Sequence, residues 1–188
     1  MLLAIVSSLL SLLMSSNIVF PSKLESLNLL LKHPNQDNIF QWFEGVEDTI
    51  QNFNEFPHSW PLYTKSPTSE MFVSLCKQKY PPYFVFNEQH NIFVGVIEIV
   101  RIESDFIEIG FWTRRSYHNR GIMTEALNCF ITWFEHSYPF VKIVIGIESA
   151  NKAAIKIAEK VGFVWDTQYI NVERNNTVYE IFHFGTKE

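Results

Sequence analysis

The fold of this chain is decided by the stretch Y-H-N-R-G-I-M-T-E-A-L at residues 117–127, together with F-I-E-I-G-F-W-T at residues 106–113 just before it. The former is a short turn that runs into an amphipathic pattern and predicts a helix over about residues 119–136. The latter is rich in β-branched and aromatic residues and predicts a strand. A turn at a helix N-terminus directs several unpaired backbone N–H groups at one point, where the helix dipole adds partial positive charge. We therefore predict an anion site that fits a pyrophosphate, with Gly121 allowing the backbone to approach the ligand closely.

The rest of the chain predicts strands and helices on both sides of this unit. Upstream, the patterns predict a strand at 26–32, helices at 37–53 and about 66–76, and a hairpin of strands at 83–87 and 91–102. Downstream, they predict a strand at 141–147, a helix at 151–161, and paired strands at 163–173 and 177–184. The strand, helix, strand order after residue 106 favours a parallel crossover.

Length and composition limit the domain count and the kinds of ligand. With 188 residues, of which 47% are hydrophobic, we expect one domain over residues 15–188. The formal net charge of -5 argues against nucleic-acid binding and mildly suits a cationic amine. Cys76, Cys129 and the six histidines show no metal or redox spacing, so we expect no metal and no disulfide.

Residues 1–14 are almost wholly apolar and are interpreted as an extension or a signal-like segment. They are too few to span a bilayer as a helix, which needs about 20 residues. No Lys or Arg precedes the apolar run, as a secretion signal would require. We expect a cytoplasmic protein without a membrane span, and export is the alternative if these residues act as a signal.

Three blocks of sequence carry a family resemblance. They are E-I-G-F-W at 108–112, R-G-I-M-T-E-A-L at 120–127 and N-K-A-A-I-K-I-A-E-K-V-G-F at 151–163. In this order and spacing the chain resembles the GNAT superfamily of acetyl-coenzyme A dependent N-acetyltransferases, in its RimJ/RimL-like branch, over roughly residues 23–184. The resemblance implies an α/β (α+β) fold with a mixed, mostly antiparallel twisted sheet between helices. Strands 106–113 and 141–147 would splay apart, and the pantetheine arm of acetyl-CoA would enter the gap.

The resemblance also implies which residues bind acetyl-CoA. The backbone of the turn would hold its phosphates, one strand would offer a main-chain donor to the acetyl carbonyl, and an asparagine would contact the pantetheine arm. The residues concerned are Phe111, Trp112, Thr113, His118, Asn119, Arg120, Gly121, Ile122, Met123, Thr124 and Asn151. His118 and Met123 differ from the general family pattern, although the branch tolerates both. Each position has a simpler interpretation as well: packing for Phe111 and Trp112, an exposed loop histidine for His118, and helix capping for Asn151.

Catalysis requires a base, and Glu108 is the candidate because several GNAT enzymes place a glutamate on this strand. The alternatives are a structural hydrogen bond for Glu108, with Glu98 or a water chain taking the proton. The family often has a serine where this chain has Ala154, so the departing thiolate would be protonated by water or by Tyr169. We interpret the chain as an N-acetyltransferase acting by direct attack in a ternary complex. Its acceptor would be a protein N-terminal α-amine or a small amine; the alternative is a non-catalytic acyl-CoA binding or interaction module.

Overall fold

One mixed sheet organises the chain, and a computed structural model describes it over residues 18–166, 172–174 and 177–185. The strands in these residues are β1 (Lys23–Glu25), β2 (Leu29–Lys32), β3 (Tyr83–Asn87), β4 (Ile92–Ile102), β5 (Phe106–Thr113), β6 (Lys142–Glu148), β7 (Phe163–Trp165), β8 (Val172–Arg174) and β9 (Thr177–Phe184). The helices are α1 (Ile39–Glu55), α2 (Ser69–Cys76), α3 (Ile122–Ser137) and α4 (Lys152–Lys160). The strand order is β1-β2-β3-β4-β5-β6-β9-β7, with β8 on β9.

Two apolar layers cover the two faces of the sheet, because successive strand side chains point to opposite faces. On one face, Phe130 and Phe134 of α3 and Ile155 of α4 pack with Ile107 and Ile109 of β5. On the other face, the core is largely aromatic and comes from α1, α2 and the strands: Trp42, Phe53, Phe72, Phe84, Phe93 and Trp112. Truncating one of these fully buried aromatic rings to alanine would cost about 3–5 kcal/mol of stability. The sheet between α3/α4 and α1/α2 confirms the expected fold class.

Strands β5 and β6 are parallel and separate after a short stretch of pairing. The register joins Phe106 to Lys142, Ile107 to Ile143 and Glu108 to Val144, and in the described residues it goes no further. From residue 109 to 113 the edge of β5 that faces β6 therefore has no partner among the described strands. The other described pairings are antiparallel, and this parallel pair is the predicted crossover. The predicted splay of the two central strands is confirmed.

The element boundaries differ from the predictions where local backbone geometry interrupts a pattern. The strand predicted at 26–32 is shorter in the structure and begins at Leu29 as β2, because Ser26 donates its N–H to the carbonyl of Leu29 and closes a turn; the separate strand β1 precedes this turn. Helix α3 begins at Ile122 and not at 119, because Asn119 and Gly121 have φ values of 60° and 74°, outside helical geometry. The predicted strand at 163–173 is seen as β7 and β8, and residues 167–171 between them are outside the described part.

Several predictions fall outside the described residues or concern absences. Residues 1–14, and Tyr169, are not among those described. None of the described helices has the length and apolar character to cross a bilayer.

Cys76 and Cys129 are free thiols, and burial raises the pKa of each. In the described part of the chain no three His, Cys, Asp or Glu side chains are grouped so as to hold a metal ion.

Candidate active site

In the turn between β5 and α3, the backbone N–H groups donate hydrogen bonds up to residue 118. The N–H groups that follow, up to residue 124, have no acceptor among the described residues. From Arg114 to His118 each N–H donates a hydrogen bond, to Val94, Thr49, Asp48, Arg114 and Arg115 in turn. From residue 119 to 124 none of the N–H groups has an acceptor among the described residues. These donors surround the N-terminus of α3, where the helix dipole is positive. We call residues 119–124 the amide loop.

Left-handed backbone at Gly121 shapes the amide loop. Gly121 is the N-cap of α3, and no side chain caps the helix. A Cβ atom built on Gly121 would meet no heavy atom within 4 Å, so its position opens onto unfilled space. Glu125, the acidic side chain in the first turn of α3, is engaged elsewhere, because its Oε1 accepts hydrogen bonds from Ser26 Oγ (2.7 Å) and Asn28 N (3.1 Å). The backbone donors of the loop are thus open to a ligand, and the Glu125 carboxylate is bound to other residues. Both features fit an anionic ligand.

Three side chains of the turn and the amide loop have contacts of their own within the protein. His118 Nε2 lies 2.9 Å from the carbonyl oxygen of Thr113. The guanidinium of Arg120 lies over the Tyr117 ring, 4.9 Å from its centroid. Met123 is 3% exposed and belongs to the core. These three side chains are thus engaged within the protein, whereas the backbone amides of residues 119–124 have no acceptor among the described residues.

A second cluster lies on the α1/α2 face of the sheet, where a segment at residues 56–63 crosses the strands. Its Trp60 ring covers Gly110 of β5, at which a Cβ would come within 3.1 Å of the indole. Ser59 donates from its backbone N (2.9 Å) and its Oγ (2.6 Å) to Glu148 Oε1 at the end of β6. The Tyr63 hydroxyl donates a hydrogen bond to the carboxylate of Glu98 on β4. We call residues 56–63 the crossing segment, since it links both sides of the β5–β6 gap.

The carboxylates around this segment differ in their partners. Glu98 lies opposite Gly110 in the β4–β5 register, and burial raises its pKa to about 7, although the hydrogen bond from Tyr63 partly offsets the rise. Burial, and then the nearby Glu98, raises the pKa of Tyr63 well above its ordinary value. Glu108 is 4% exposed, and its Oε2 lies 2.6 Å from Nε of Arg101, directly across the register. At this raised pKa, the Glu98 carboxyl group gains and loses its proton near neutral pH.

Comparison with known proteins assigns this architecture to a family. The acetyltransferase (GNAT) domain family matches residues 28–164, well over half of the chain. The chain belongs to the GNAT family of acetyltransferases. It is accordingly an N-acetyltransferase.

Relatives of this GNAT protein include the ribosomal-protein-serine acetyltransferase of Escherichia coli (strain K12). The two are 26% identical over 129 residues, which cover 65% of this chain and 72% of the relative. Solved structures of the same fold include the Microcin C7 self immunity acetyltransferase MccE in complex with acetyl-CoA and AMP. It has a TM-score of 0.72 at 20% identity and covers 87% of this chain and 96% of its own. RimL, a ribosomal L7/L12 α-N-protein acetyltransferase in complex with coenzyme A, has a TM-score of 0.67 at 19% identity and covers 86% and 96%.

In this GNAT protein the predicted cofactor residues lie at or just after the carboxyl ends of the parallel strands β5 and β6. Phe111, Trp112 and Thr113 end β5, and the turn that follows leads into the amide loop. Trp112 is 5% exposed and packs against Phe53 and Phe93, so its side chain serves the core. Asn151 follows β6 and caps α4, with its Oδ1 accepting from the N–H of Ala154 at 3.1 Å. The capping role expected as the simpler interpretation of Asn151 is present, and its side-chain amide nitrogen is not used by the cap.

Sequence reasoning missed the contacts that the crossing segment makes. Tyr63 and Ser59 lie in a proline-containing stretch without periodicity, so no pattern marked them. The position of Glu108 had a signal, because a short turn after residue 102 places Arg101 opposite it in a hairpin. The structure thus gives Glu108 the structural contact that was the alternative to a catalytic role, while Glu98 was the reserve candidate for the base.

Proposed function

We propose that this protein transfers the acetyl group of acetyl-CoA to an amine by direct attack in a ternary complex. The observation that carries the proposal is the run of unpaired amides at 119–124 beside the open edge of β5. The amide loop supplies donors and dipole charge for the pyrophosphate. The open edge of β5 supplies main-chain groups for the pantetheine arm, with Asn151 across the gap.

The acetyl-transfer step requires an amine without its proton. We propose that the Glu98 carboxylate takes that proton, since a base works best when its pKa lies near the working pH. The amine nitrogen then forms a bond to the thioester carbonyl carbon, the carbon–sulfur bond breaks to release CoA as a thiolate, and the nitrogen of the new amide gives its remaining extra proton to water. A main-chain N–H at residues 111–113 would stabilise the carbonyl oxygen as it becomes negative. Glu108, held by Arg101, would keep β4 and β5 in register and not take part.

The thiolate must regain a proton, and the residue at position 154 has no hydroxyl to give one. We propose that water supplies it, with Tyr169 as the second source. The missing hydroxyl is also the one feature that favours the alternative function, a non-catalytic acyl-CoA binding or interaction module.

The acceptor is proposed from the relatives and from the charge of the site. The Escherichia coli relative is by name a ribosomal-protein-serine acetyltransferase, and the RimL structure is of a protein α-N-acetyltransferase. Glu98 and Glu148 beside the gap suit an acceptor that arrives as a cation. We therefore propose a protein N-terminal α-amine as the acceptor in a cytoplasmic enzyme, with a small amine as the second choice.

One experiment separates the two functions. The purified protein is titrated with acetyl-CoA in a calorimeter, and it is then incubated with acetyl-CoA and a panel of N-terminal peptides and small amines while released thiol is followed. An enzyme binds acetyl-CoA and releases thiol with at least one amine. Binding without turnover on any amine would support the interaction module, and no binding at all would reject both.

A further inference from the structure

Helix α1 reaches the turn just before the amide loop through two adjacent side chains. Oδ2 of Asp48 accepts from Ser116 N (2.9 Å), from Ser116 Oγ (2.8 Å) and from Nε of Arg114 (3.3 Å). Oγ1 of Thr49 accepts from Arg115 N at 3.2 Å. Two consecutive backbone amides of the turn, at 115 and 116, are therefore held by side chains from a helix more than 60 residues earlier in the chain.

The helix that supplies these acceptors is itself fixed on the sheet. A Cβ at Gly45 would come within 2.4 Å of the Phe93 ring, so at this point the α1 backbone lies directly on β4. Thr49 is 2% exposed, and its hydroxyl donates to the carbonyl of Gly45 at 2.7 Å, which orients its lone pairs toward Arg115. Gln41 Oε1 accepts from Phe93 N at 2.9 Å. Asp48 and Thr49 therefore project from a helix whose position on the sheet is fixed.

Asp48 is suited to this task as an ion. Burial alone would raise its pKa, but the hydrogen bonds from Ser116 and the charge of Arg114 outweigh that effect and hold the pKa below its ordinary value. The carboxylate is therefore charged at neutral pH, and charge-assisted hydrogen bonds are the stronger kind. Neither Asp48 nor Thr49 belongs to the amide loop, so their effect on a ligand is indirect.

We propose that Asp48 and Thr49 are positioning residues for acetyl-CoA: they fix residues 115–116 so that the unpaired amides of 119–124 stay converged on the pyrophosphate. The inference rests on the proposed function. Without the two acceptors, the turn would have to be ordered when the ligand binds, and that ordering reduces affinity. No additional contact with acetyl-CoA would offset this loss of affinity.

The test compares two pairs of variants with a control. Thr49→Val removes the acceptor while Thr49→Ser keeps it, and Asp48→Ala removes the carboxylate while Asp48→Asn keeps an oxygen without the charge. Glu44→Gln is the control, because Glu44 lies on the same helix and reaches Arg114 at 3.8 Å without touching residues 115–116. Each protein is measured for acetyl-CoA affinity by calorimetry and for melting temperature. Turnover is measured with acetyl-CoA and with S-acetylpantetheine, a donor that lacks the phosphates.

We expect Thr49→Val and Asp48→Ala to raise the Kd for acetyl-CoA by about three- to tenfold, because each variant loses one hydrogen bond to a backbone amide of the turn. Asp48→Asn should fall in between, and Thr49→Ser and Glu44→Gln should bind as the wild type does. Turnover with S-acetylpantetheine should change little in any variant, whereas general loosening of the fold would lower turnover with both donors equally.

Equal Kd values for Thr49→Val and Thr49→Ser, or equal losses with the two donors, would overturn the positioning role while leaving the proposed function in place. Failure of the wild-type protein to bind acetyl-CoA would overturn the proposed function itself. The Thr49 pair keeps the test decisive even where Asp48→Ala unfolds, since Val, Ser and Thr differ little in size.

Discussion

The hydroxyl group of Tyr63 donates a hydrogen bond to the carboxylate of Glu98, and this contact joins the crossing segment to the central sheet beside the β5–β6 gap. The tyrosine side chain is 2% exposed and is surrounded by the rings of Phe53, Trp60 and Trp112. Because this environment is apolar, a proton on Glu98 is stabilised relative to the ionised form, which places its titration near neutral pH. We therefore expect substitutions of Glu98 and of Tyr63 to change the pH dependence of catalysis.

Replacing Glu98 with glutamine should remove the base while keeping an oxygen that can accept from Tyr63. Turnover at neutral pH should fall by about 100-fold or more, as expected for loss of general base catalysis. The loss should shrink at alkaline pH, where the amine has already released its proton. The pH–rate profile should also lose the rising limb centred at about pH 7.

Two variants serve as comparisons for the Glu98 substitution. Glu108→Gln should keep the limb and lower the melting temperature, because Arg101 would lose its buried partner. Glu103→Gln, at an exposed position that meets Arg101 only at 3.8 Å, should alter neither. If Glu108→Gln abolished the limb and Glu98→Gln retained it, the assignment of the base would be reversed.

The pH dependence of protein stability should also reflect the titration of Glu98. The pKa of Glu98 is about 7 in the folded protein, above its ordinary value of 4.5. Between these two pH values the folded state holds a proton that the unfolded state has released. Glu98 therefore contributes a loss of stability as pH rises through this window. Denaturant unfolding of Glu98→Gln against the wild type should show a difference that grows from pH 4.5 to 7 in favour of the variant; a constant difference would contradict the raised pKa.

Tyr63→Phe removes the donor of the hydrogen bond to Glu98 and so tests its effect on the carboxyl group. Because this bond lowers the pKa of Glu98, its loss should move the rising limb of the pH–rate profile to higher pH. The rate should therefore drop at neutral pH and recover on the alkaline plateau. The free energy of unfolding should decrease by about 0.5–1.5 kcal/mol, the usual contribution of one hydrogen bond. A limb that stayed in place would show that the Tyr63 hydroxyl does not set this titration.

Gly110→Ala should disturb the crossing segment without touching the amide loop. The new methyl group would lie 3.1 Å from the Trp60 ring, so the ring and its segment must shift. The KM for the amine should rise severalfold while the Kd for acetyl-CoA stays the same. Adding Trp60→Leu removes the opposing ring and should restore much of the amine KM if the clash is the cause. An acetyl-CoA affinity that fell while the amine KM rose would argue that the two sites are not separable.

Gly121→Val tests the amide loop directly. A β-branched residue at a φ of 74° costs about 1–2 kcal/mol of backbone strain, and its side chain would occupy the open space in front of the amides. Acetyl-CoA affinity should fall by at least tenfold. Gly185→Val is the matched control, since Gly185 also has a positive φ of 140° and open space around it but lies at the end of β9. Equal acetyl-CoA affinities in the two variants would count against pyrophosphate docking at this loop.

Local patterns in the sequence predicted the elements that carry the cofactor side of the site. The bounds of β5 agree with the prediction at both ends, and the hairpin of β3 and β4 agrees within one residue. These predictions succeed because alternation, helical periodicity and glycine at a turn report the conformation of residues close together in the chain. The start of α3 was predicted less well, because the left-handed conformation of Asn119 cannot be read from a hydrophobic pattern.

The sequence by itself determined the family, the strand–turn–helix unit with Gly121 at its centre, and the order of strands that makes one crossover parallel. Only the tertiary structure decided which glutamate contacts an arginine and which lies beside Tyr63 with its pKa raised to about 7, since Glu98 and Glu108 have equally apolar neighbours in the chain. It likewise brought Asp48 to Ser116 and Ser59 to Glu148. The physical reason is that the charge state of a carboxylate depends on burial and on partners distant in sequence, and both are set by packing.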